Sequence, residues 1–141
     1  MKRKGSAAWN GDLRTGKGAV STESGALDGT PFGFNTRFGD AKGTNPEELI
    51  AAAHASCFSM ALSSELVKVG ITNPAITTGA TVELKQVGGA FAITSSHLDV
   101  TLEARGADRA KLEAAAESAK ANCPVSKLLR AEVTMSVTYS T

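Results

Sequence analysis

The feature that most constrains this chain is a long helix that carries almost no charge. The segment Asn45-Pro46-Glu47-Glu48 predicts its start, with Asn45 as the N-cap, a proline in the first turn and an acid at capping-box spacing. No charged residue lies between Glu48 and Glu65, and most residues between them are apolar or small. The pattern predicts a helix from residue 46 to about Lys68, ended by Gly70 and buried on most sides.

The length of the chain limits what can surround such a helix. Its 141 residues predict a single domain, residues 1–141, with a core of its own. A domain of this size has little material to enclose one helix completely. We therefore expect a second copy of the chain to help cover it.

The rest of the chain predicts an α+β fold with a mostly antiparallel sheet. Short strands are expected at Lys2–Trp9, Lys17–Glu23 and Phe32–Phe38, with Arg37 pointing away from the aromatic row. After Pro74, two alternating strands flank a Gly-Gly turn, and a phase change near Ser95-Ser96 predicts a bulge. Further elements are expected in the C-terminal third: a helix at 109–121 capped by Asp108, a short helix at 124–130, and a strand at 133–139.

Composition excludes several classes of function. Fifteen basic residues against fourteen acidic ones give a net charge of +1, without the basic surplus of an electrostatic nucleic-acid binder. No apolar run approaches the roughly 20 residues of a membrane span. The start, Met1–Asn10, lacks the apolar region of a signal peptide. These features predict a cytoplasmic protein that binds neither nucleic acid nor membrane.

The chain has two cysteines, Cys57 and Cys123. Two are too few for a disulfide scaffold or, alone, for a structural zinc site. They are therefore either inert core thiols or a reactive thiol with a resolving partner. Cys57 lies within the apolar helix, whereas Cys123 precedes Pro124 at a helix start, where free N–H groups favour a thiolate.

Other side chains offer weaker signals. His54 stands three residues before Cys57 on adjacent helix faces, where it could act as the base of a Cys–His hydrolase, but a structural histidine is the simpler interpretation. His97 has no evident partner, and no metal-binding spacing is present. Glu47 lies ten residues before Cys57, about 15 Å along a helix axis, so it cannot touch that sulfur. It can instead hold Arg37, and contact between Arg37 and the sulfur is easiest if the two come from different subunits.

These residues together resemble the OsmC/Ohr family, named for osmotically inducible protein C and the organic hydroperoxide resistance proteins. The matching stretches are 9–12, 16–18, 33–38, 43–58 and 121–126. They contain Asn-Pro-Glu-Glu-Leu before a helix cysteine and a later Cys-Pro-Val-Ser. The Phe-Asn-Thr-Arg-Phe and His-Ala-Ser-Cys segments are closer to the OsmC branch.

The resemblance implies a thiol-dependent peroxidase that reduces organic hydroperoxides, and hydrogen peroxide, in oxidative or osmotic stress. It implies an interwoven homodimer in which antiparallel sheets wrap long buried helices. Cys57 would be the peroxidatic cysteine and Cys123 the resolving one, with Arg37 beside the thiolate and Glu47, or its neighbour Glu48, orienting that arginine. An external dithiol, of lipoyl or other type, would regenerate the pair without a cofactor. Phe34, Phe38 and Phe58 are most simply core residues, and the alternative is an apolar wall that excludes water and admits an alkyl hydroperoxide.

Two other functions fit the same residues. The cysteine pair of a non-catalytic stress protein would report oxidation without turnover, and a Cys–His hydrolase would use Cys57 with His54.

Overall fold

The computed structural model describes all 141 residues and divides into two compact units, residues 1–49 and 50–141. Unit 1 contains β1 (Gly5–Asn10), β2 (Lys17–Thr22), β3 (Thr30–Phe32) and α1 (Phe34–Phe38). The helix α2 (Pro46–Lys68) begins in unit 1 and continues in unit 2. Unit 2 also contains β4 (Ala75–Val87), β5 (Ala90–Glu103), α3 (Arg109–Asn122), α4 (Pro124–Leu128) and β6 (Glu132–Ser140). The prediction of a single domain stays a prediction.

The sheet of unit 1 is antiparallel, in the order β1-β2-β3. Gly18 on the central strand lies in register between Trp9 and Phe32. The rings of Trp9 and Phe32 approach to 5.6 Å across it. A Cβ at Gly18 would meet the Phe32 ring at 2.5 Å and the Trp9 ring at 2.8 Å. Glycine is therefore what allows the two rings to pack over the middle strand.

The prediction of one strand over Phe32–Phe38 was wrong. The strand ends at Phe32, and the next residues form α1. The Thr36 hydroxyl accepts a hydrogen bond from the Gly33 N–H at 2.8 Å and donates to the Gly33 carbonyl at 3.0 Å. These local bonds favour a helical turn over an extended chain. Arg37 consequently does not point away from the aromatic side chains, because its guanidinium lies 5.5 Å from the centre of the Phe38 ring.

The sheet of unit 2 has the order β4-β5-β6, with β4 antiparallel and β6 parallel to β5. Gly88 and Gly89 both have positive φ and form the predicted two-residue hairpin turn. Glu83 pairs with Ser95 but Leu84 pairs with Ile93, so Thr94 is the extra residue of a bulge. The predicted phase change is therefore real and lies one residue earlier than expected.

The hydrophobic core belongs to unit 2. Its fully buried members come from α2, β5 and α3, together with Cys123 at the end of α3. Along α2 only one stripe is buried, namely His54, Phe58, Leu62 and Leu66. Phe58 is therefore a core residue and not part of a substrate wall.

The prediction that α2 is buried on most sides is wrong for the single chain. Ala53, Ser56, Met60 and Val67 are exposed, and Met60 retains 76% of its accessible surface. The cause is the small size of the chain, which supplies packing partners for only one stripe of the helix.

By length and composition alone, α2 is long and apolar enough to cross a membrane, contrary to the expectation that no apolar run approaches that length. Core helices of folded domains have the same properties. Here the buried stripe of α2 packs into the core with α3 and β5. We therefore treat α2 as a core helix.

Candidate active site

The two cysteines meet in unit 2. Cys57 lies on α2 and is half-buried, whereas Cys123 is fully buried at the junction of α3 and α4. Both are free thiols, and each sulfur changes the pKa of the other. The fold therefore brings together two cysteines that are separated by 65 residues in the sequence.

Backbone hydrogen bonds hold Cys123 from both sides. Its N–H donates to the Ala119 carbonyl at 2.8 Å, at the end of α3. Its carbonyl accepts from the Lys127 N–H at 3.0 Å, at the start of α4. Cys123 occupies the predicted N-cap position but makes no side-chain capping hydrogen bond. α4 also ends at Leu128, two residues earlier than predicted.

The pKa values of the two thiols move in opposite directions. Burial raises the pKa of Cys57; the Val125 backbone opposes this shift, and the neighbouring Cys123 thiol adds to it. Burial also acts against ionisation of Cys123, but the Ser126 backbone and the Cys57 thiol outweigh it. The Ser126 hydroxyl and the Val125 backbone add to this effect, so the pKa of Cys123 is lowered. Burial thus disfavours the thiolate of Cys57, whereas the local hydrogen bonds favour the thiolate of Cys123.

His54 is fully buried beside this pair and bonds to two serine hydroxyls. Its Nδ1 lies 2.7 Å from Ser96 Oγ, and its Nε2 lies 2.8 Å from Ser126 Oγ. Burial lowers its pKa, which favours the neutral ring. Because serines engage both ring nitrogens, neither is available as a base for Cys57, and the hydrolase pair is not formed.

Arg37 and Glu47 form an ion pair within unit 1. Arg37 Nε lies 3.2 Å and 3.1 Å from the two carboxylate oxygens of Glu47, and Arg37 Nη2 lies 2.5 Å from Oε1. The arginine side chain keeps 32% of its exposure and the glutamate only 12%. This two-point contact fixes the plane of the guanidinium.

Glu48 forms no ion pair with Arg37 and instead helps to form the start of α2. Its N–H donates to the Asn45 side-chain oxygen at 2.8 Å, which confirms the predicted cap. Its carboxylate accepts from the Thr44 hydroxyl at 3.0 Å instead of closing the capping box. Of the two candidate acids, Glu47 is therefore the one that orients Arg37.

An apolar cavity of about 180 Å³ opens beside Arg37 in unit 1. The Phe34 and Phe38 rings, 4.9 Å apart, contribute to its lining, and so do Trp9 and Phe32. Aromatic walls with one fixed cation suit a ligand that has an apolar body and a polar end.

No group of three or more His, Cys, Asp or Glu side chains able to hold a metal ion is present. His97 lies on β5 and bonds to hydroxyls of β6, those of Thr134 and Ser136.

Comparison with known proteins places these residues in a family. The family model described as OsmC-like protein matches residues 39–138. The chain belongs to this family. It is 53% identical over 135 residues to peroxiredoxin OsmC of Escherichia coli (strain K12), covering 96% of this chain and 94% of the relative.

More distant relatives support the same placement. The organic hydroperoxide resistance protein of Xanthomonas axonopodis pv. citri (strain 306) is 31% identical over 126 residues, covering 86% of this chain and 84% of the relative. The crystal structure of the organic hydroperoxide resistance protein OhrB of Bacillus subtilis has the same fold, with a TM-score of 0.70 at 23% identity. That alignment covers 99% of this chain and 98% of the other. The resemblance inferred from the sequence is thus confirmed for the family and for the fold.

Sequence reasoning about this OsmC-like chain missed Ser96 and Ser126. Both left a signal. Ser96 falls in the buried phase of β5, which it shares with Leu98 and Val100, so a polar group stands where an apolar one is expected. Ser126 follows Cys123 by three residues, the spacing that brings a side chain in the first turn back to the N-cap.

Proposed function

We propose that this chain is a thiol-dependent peroxidase in which Cys57 attacks the hydroperoxide and Cys123 resolves the product. The observation that carries the proposal is the pairing of one reachable and one buried thiol at a single site. Two relatives named for peroxide chemistry, peroxiredoxin OsmC and an organic hydroperoxide resistance protein, support the class of reaction.

The difference in exposure between the two thiols assigns their roles. A peroxide can reach half-buried Cys57 but not Cys123, which is fully buried. The Cys57 thiolate attacks the terminal peroxide oxygen, the O–O bond breaks, and an alcohol or water leaves while Cys57 becomes a sulfenic acid. Cys123 then displaces hydroxide from that sulfenic acid, which closes a disulfide and prevents overoxidation of Cys57.

The first step needs a cation near Cys57, because burial raises the pKa of that thiol. We assign this cationic role to Arg37, which Glu47 holds in place. For an ordinary cysteine, which is a few per cent ionised near neutral pH, complete ionisation gains only about 30-fold, and the raised pKa of Cys57 makes that gain larger. Arg37 would therefore act both by favouring the Cys57 thiolate and by positioning the peroxide and stabilising charge on the leaving oxygen.

We propose further that Arg37 reaches Cys57 across a homodimer. The exposed small and apolar face of α2, which includes Ser56 and Met60, supports such an assembly. The cavity beside Arg37 would take the alkyl or aryl body of an organic hydroperoxide. An external dithiol, of lipoyl or other type, would reduce the disulfide in the cytoplasm.

Substitution of each cysteine tests the chemistry. Cys57→Ser should abolish consumption of cumene hydroperoxide in the presence of a dithiol. Cys123→Ser should complete one turnover and leave Cys57 as a sulfenic acid, which dimedone labelling and mass spectrometry detect. Normal turnover by Cys57→Ser would refute the assignment. A wild-type protein that stops after one equivalent of peroxide, with dithiol present, would be a sensor instead.

Complementation tests the shared site. Neither Arg37→Ala nor Cys57→Ser alone should be active. When the two variants are co-expressed, a mixed dimer unites an intact Cys57 with the partner's intact arginine. About a quarter of wild-type activity should return if two-fold dimers form at random. An absence of recovery in purified mixed dimers would place both groups in the same subunit.

A further inference from the structure

The core of unit 2 contains a buried polar contact that the peroxidase chemistry above does not use. His54 and Cys57 lie one turn apart on α2, while Cys123 and Ser126 lie one turn apart at the start of α4. His54 bonds to Ser126, and Cys57 faces Cys123. α2 and α4 therefore share two contacts, one between a histidine and a serine and one between the two cysteines. On each helix the two contacting residues are three positions apart.

The hydrogen bonds of His54 follow from its burial. Ser96 is fully buried on β5 and lies 2.7 Å from Nδ1, so each ring nitrogen has one hydroxyl partner. A neutral imidazole donates through one nitrogen and accepts through the other. If the Ser96 hydroxyl donates to Nδ1, Nε2–H donates to Ser126 Oγ, and the single hydrogen of the Ser126 hydroxyl remains free.

That hydrogen has a nearby acceptor in Cys123. Ser126 is the third residue of α4, so its backbone and side chain lie over the N-cap position that Cys123 occupies. The lowered pKa of Cys123, to which the Ser126 hydroxyl contributes, agrees with this direction.

We propose that His54 is a positioning residue for the resolving step: through Nε2–H it orients the Ser126 hydroxyl toward the Cys123 sulfur and fixes α4 against Cys57. The proposal rests on the proposed function, because it assigns a role in the second half of that cycle. In this step Cys123 loses its proton and its sulfur bonds to the Cys57 sulfur. The Cys57 S–O bond breaks, and the departing hydroxide takes up one proton to form water. Cys123 is oxidised, and the Cys57 sulfenic acid is reduced to the disulfide. The Ser126 hydroxyl stabilises the attacking thiolate, as a hydrogen bond to a charged group does.

Ser126→Ala is the first test, with Ser126→Thr as the variant that retains the hydroxyl. Reduced full-length protein is mixed with one equivalent of cumene hydroperoxide, quenched with dimedone at successive times, and analysed by mass spectrometry. The Cys57 sulfenic acid should form at the wild-type rate in both variants. In Ser126→Ala it should persist about tenfold longer, because one charge-assisted hydrogen bond is lost, whereas Ser126→Thr should resolve it as the wild type does.

A second measurement does not depend on peroxide. In a Cys57→Ser background, the ultraviolet absorbance of the thiolate reports the pKa of Cys123. Ser126→Ala should raise that pKa and Ser126→Thr should leave it unchanged. His54→Gln should raise it less than Ser126→Ala, because a glutamine N–H can still reach the serine, and His97→Gln is the matched histidine control.

Failure of the inference and failure of the proposed function give different results. If Ser126→Ala closes the disulfide at the wild-type rate and leaves the pKa of Cys123 unchanged, the inference is wrong and the two-cysteine cycle stands. If Cys57 of the Cys123→Ser protein is never oxidised, the proposed function fails, and the resolving role fails with it. If His54→Gln does not fold, the Ser126 pair still decides the question.

Discussion

The two units of this chain are held together in different ways. Every buried apolar side chain belongs to residues 50–141, whereas Thr44 is the only buried residue in 1–49. Unit 2 therefore has a core that fixes the cysteine pair within one chain. Unit 1 presents the Trp9 and Phe32 rings on a three-stranded sheet, and an ion pair between α1 and the first turn of α2. From this difference we expect the proposed sulfur chemistry to be built into the subunit and the cationic part of the proposed site to be completed by assembly.

Arg37→Ala gives the largest expected effect and tests the contribution of unit 1. The rate of Cys57 oxidation by cumene hydroperoxide should fall about 100-fold or more, because a fixed donor to the leaving oxygen is lost. Stopped-flow kinetics measure this rate. Arg3→Ala, which breaks an exposed ion pair with Glu23 in the same unit, is the control and should have no effect. An unchanged rate in Arg37→Ala would remove unit 1 from the reaction.

Met60→Glu tests the expectation that assembly covers the exposed face of α2. A carboxylate at this position would be desolvated without a partner at an interface, at a cost of several kcal/mol. We expect the variant to be monomeric by light scattering and to lose activity to the extent that Arg37→Ala does. Val87→Glu, at another exposed apolar residue, is the control. A dimer that persists in Met60→Glu would place the interface elsewhere.

Gly18→Ala tests how the sheet of unit 1 supports the aromatic cavity. The added methyl group would collide with the rings of Phe32 and Trp9, so unfolding should become easier by about 1–3 kcal/mol. Activity toward cumene hydroperoxide should decrease more than activity toward hydrogen peroxide, because only the former needs the cavity. Urea denaturation and the ratio of the two kcat/KM values measure these effects. Gly5→Ala is the control, since its nearest contact would be an ordinary 3.7 Å, and equal effects in both variants would contradict the interpretation.

The smallest expected effect concerns His54 in unit 2. Burial lowers its pKa in the folded state, so the unfolded chain binds more protons in the acidic range. Stability should be complete above the unfolded value near 6.5 and should fall as the pH decreases through it, by at most about 1.4 kcal/mol per pH unit. Urea denaturation at a series of pH values should show this slope in the wild type and in His97→Gln, and a flatter slope in His54→Gln. The same slope in His54→Gln would assign the dependence to another group.

Local signals in the sequence were sufficient for much of the fold. The Asn45 cap, the Gly88-Gly89 turn, the Asp108 cap and the bulge at Thr94 all lie within a residue of their predicted places. Each depends on side chains that act within a few residues. The strand predicted over Phe32–Phe38 failed because alternation was read without the competing bonds between Thr36 and Gly33.

The candidate site depended more heavily on tertiary structure. From the sequence, the cysteine count, the helix pattern and the family motifs predict Cys57, Cys123, Arg37 and Glu47 as site residues, and their roles stay a prediction. Only the folded chain separated Glu47, which binds Arg37, from Glu48, which binds Thr44. Adjacent residues on a helix point in different directions. Because both residues are glutamates, the sequence does not show which of them points toward Arg37.

The sequence by itself determined the family, the long helix and the residue types of the chemistry, because short-range patterns and motifs encode these. Tertiary structure alone decided that the thiol pKa values diverge, that His54 binds Ser96 and Ser126, and that one face of α2 remains uncovered. The physical reason is that burial and hydrogen-bond partners arise from segments far apart in the chain. Their separation reaches 72 residues for His54 and Ser126.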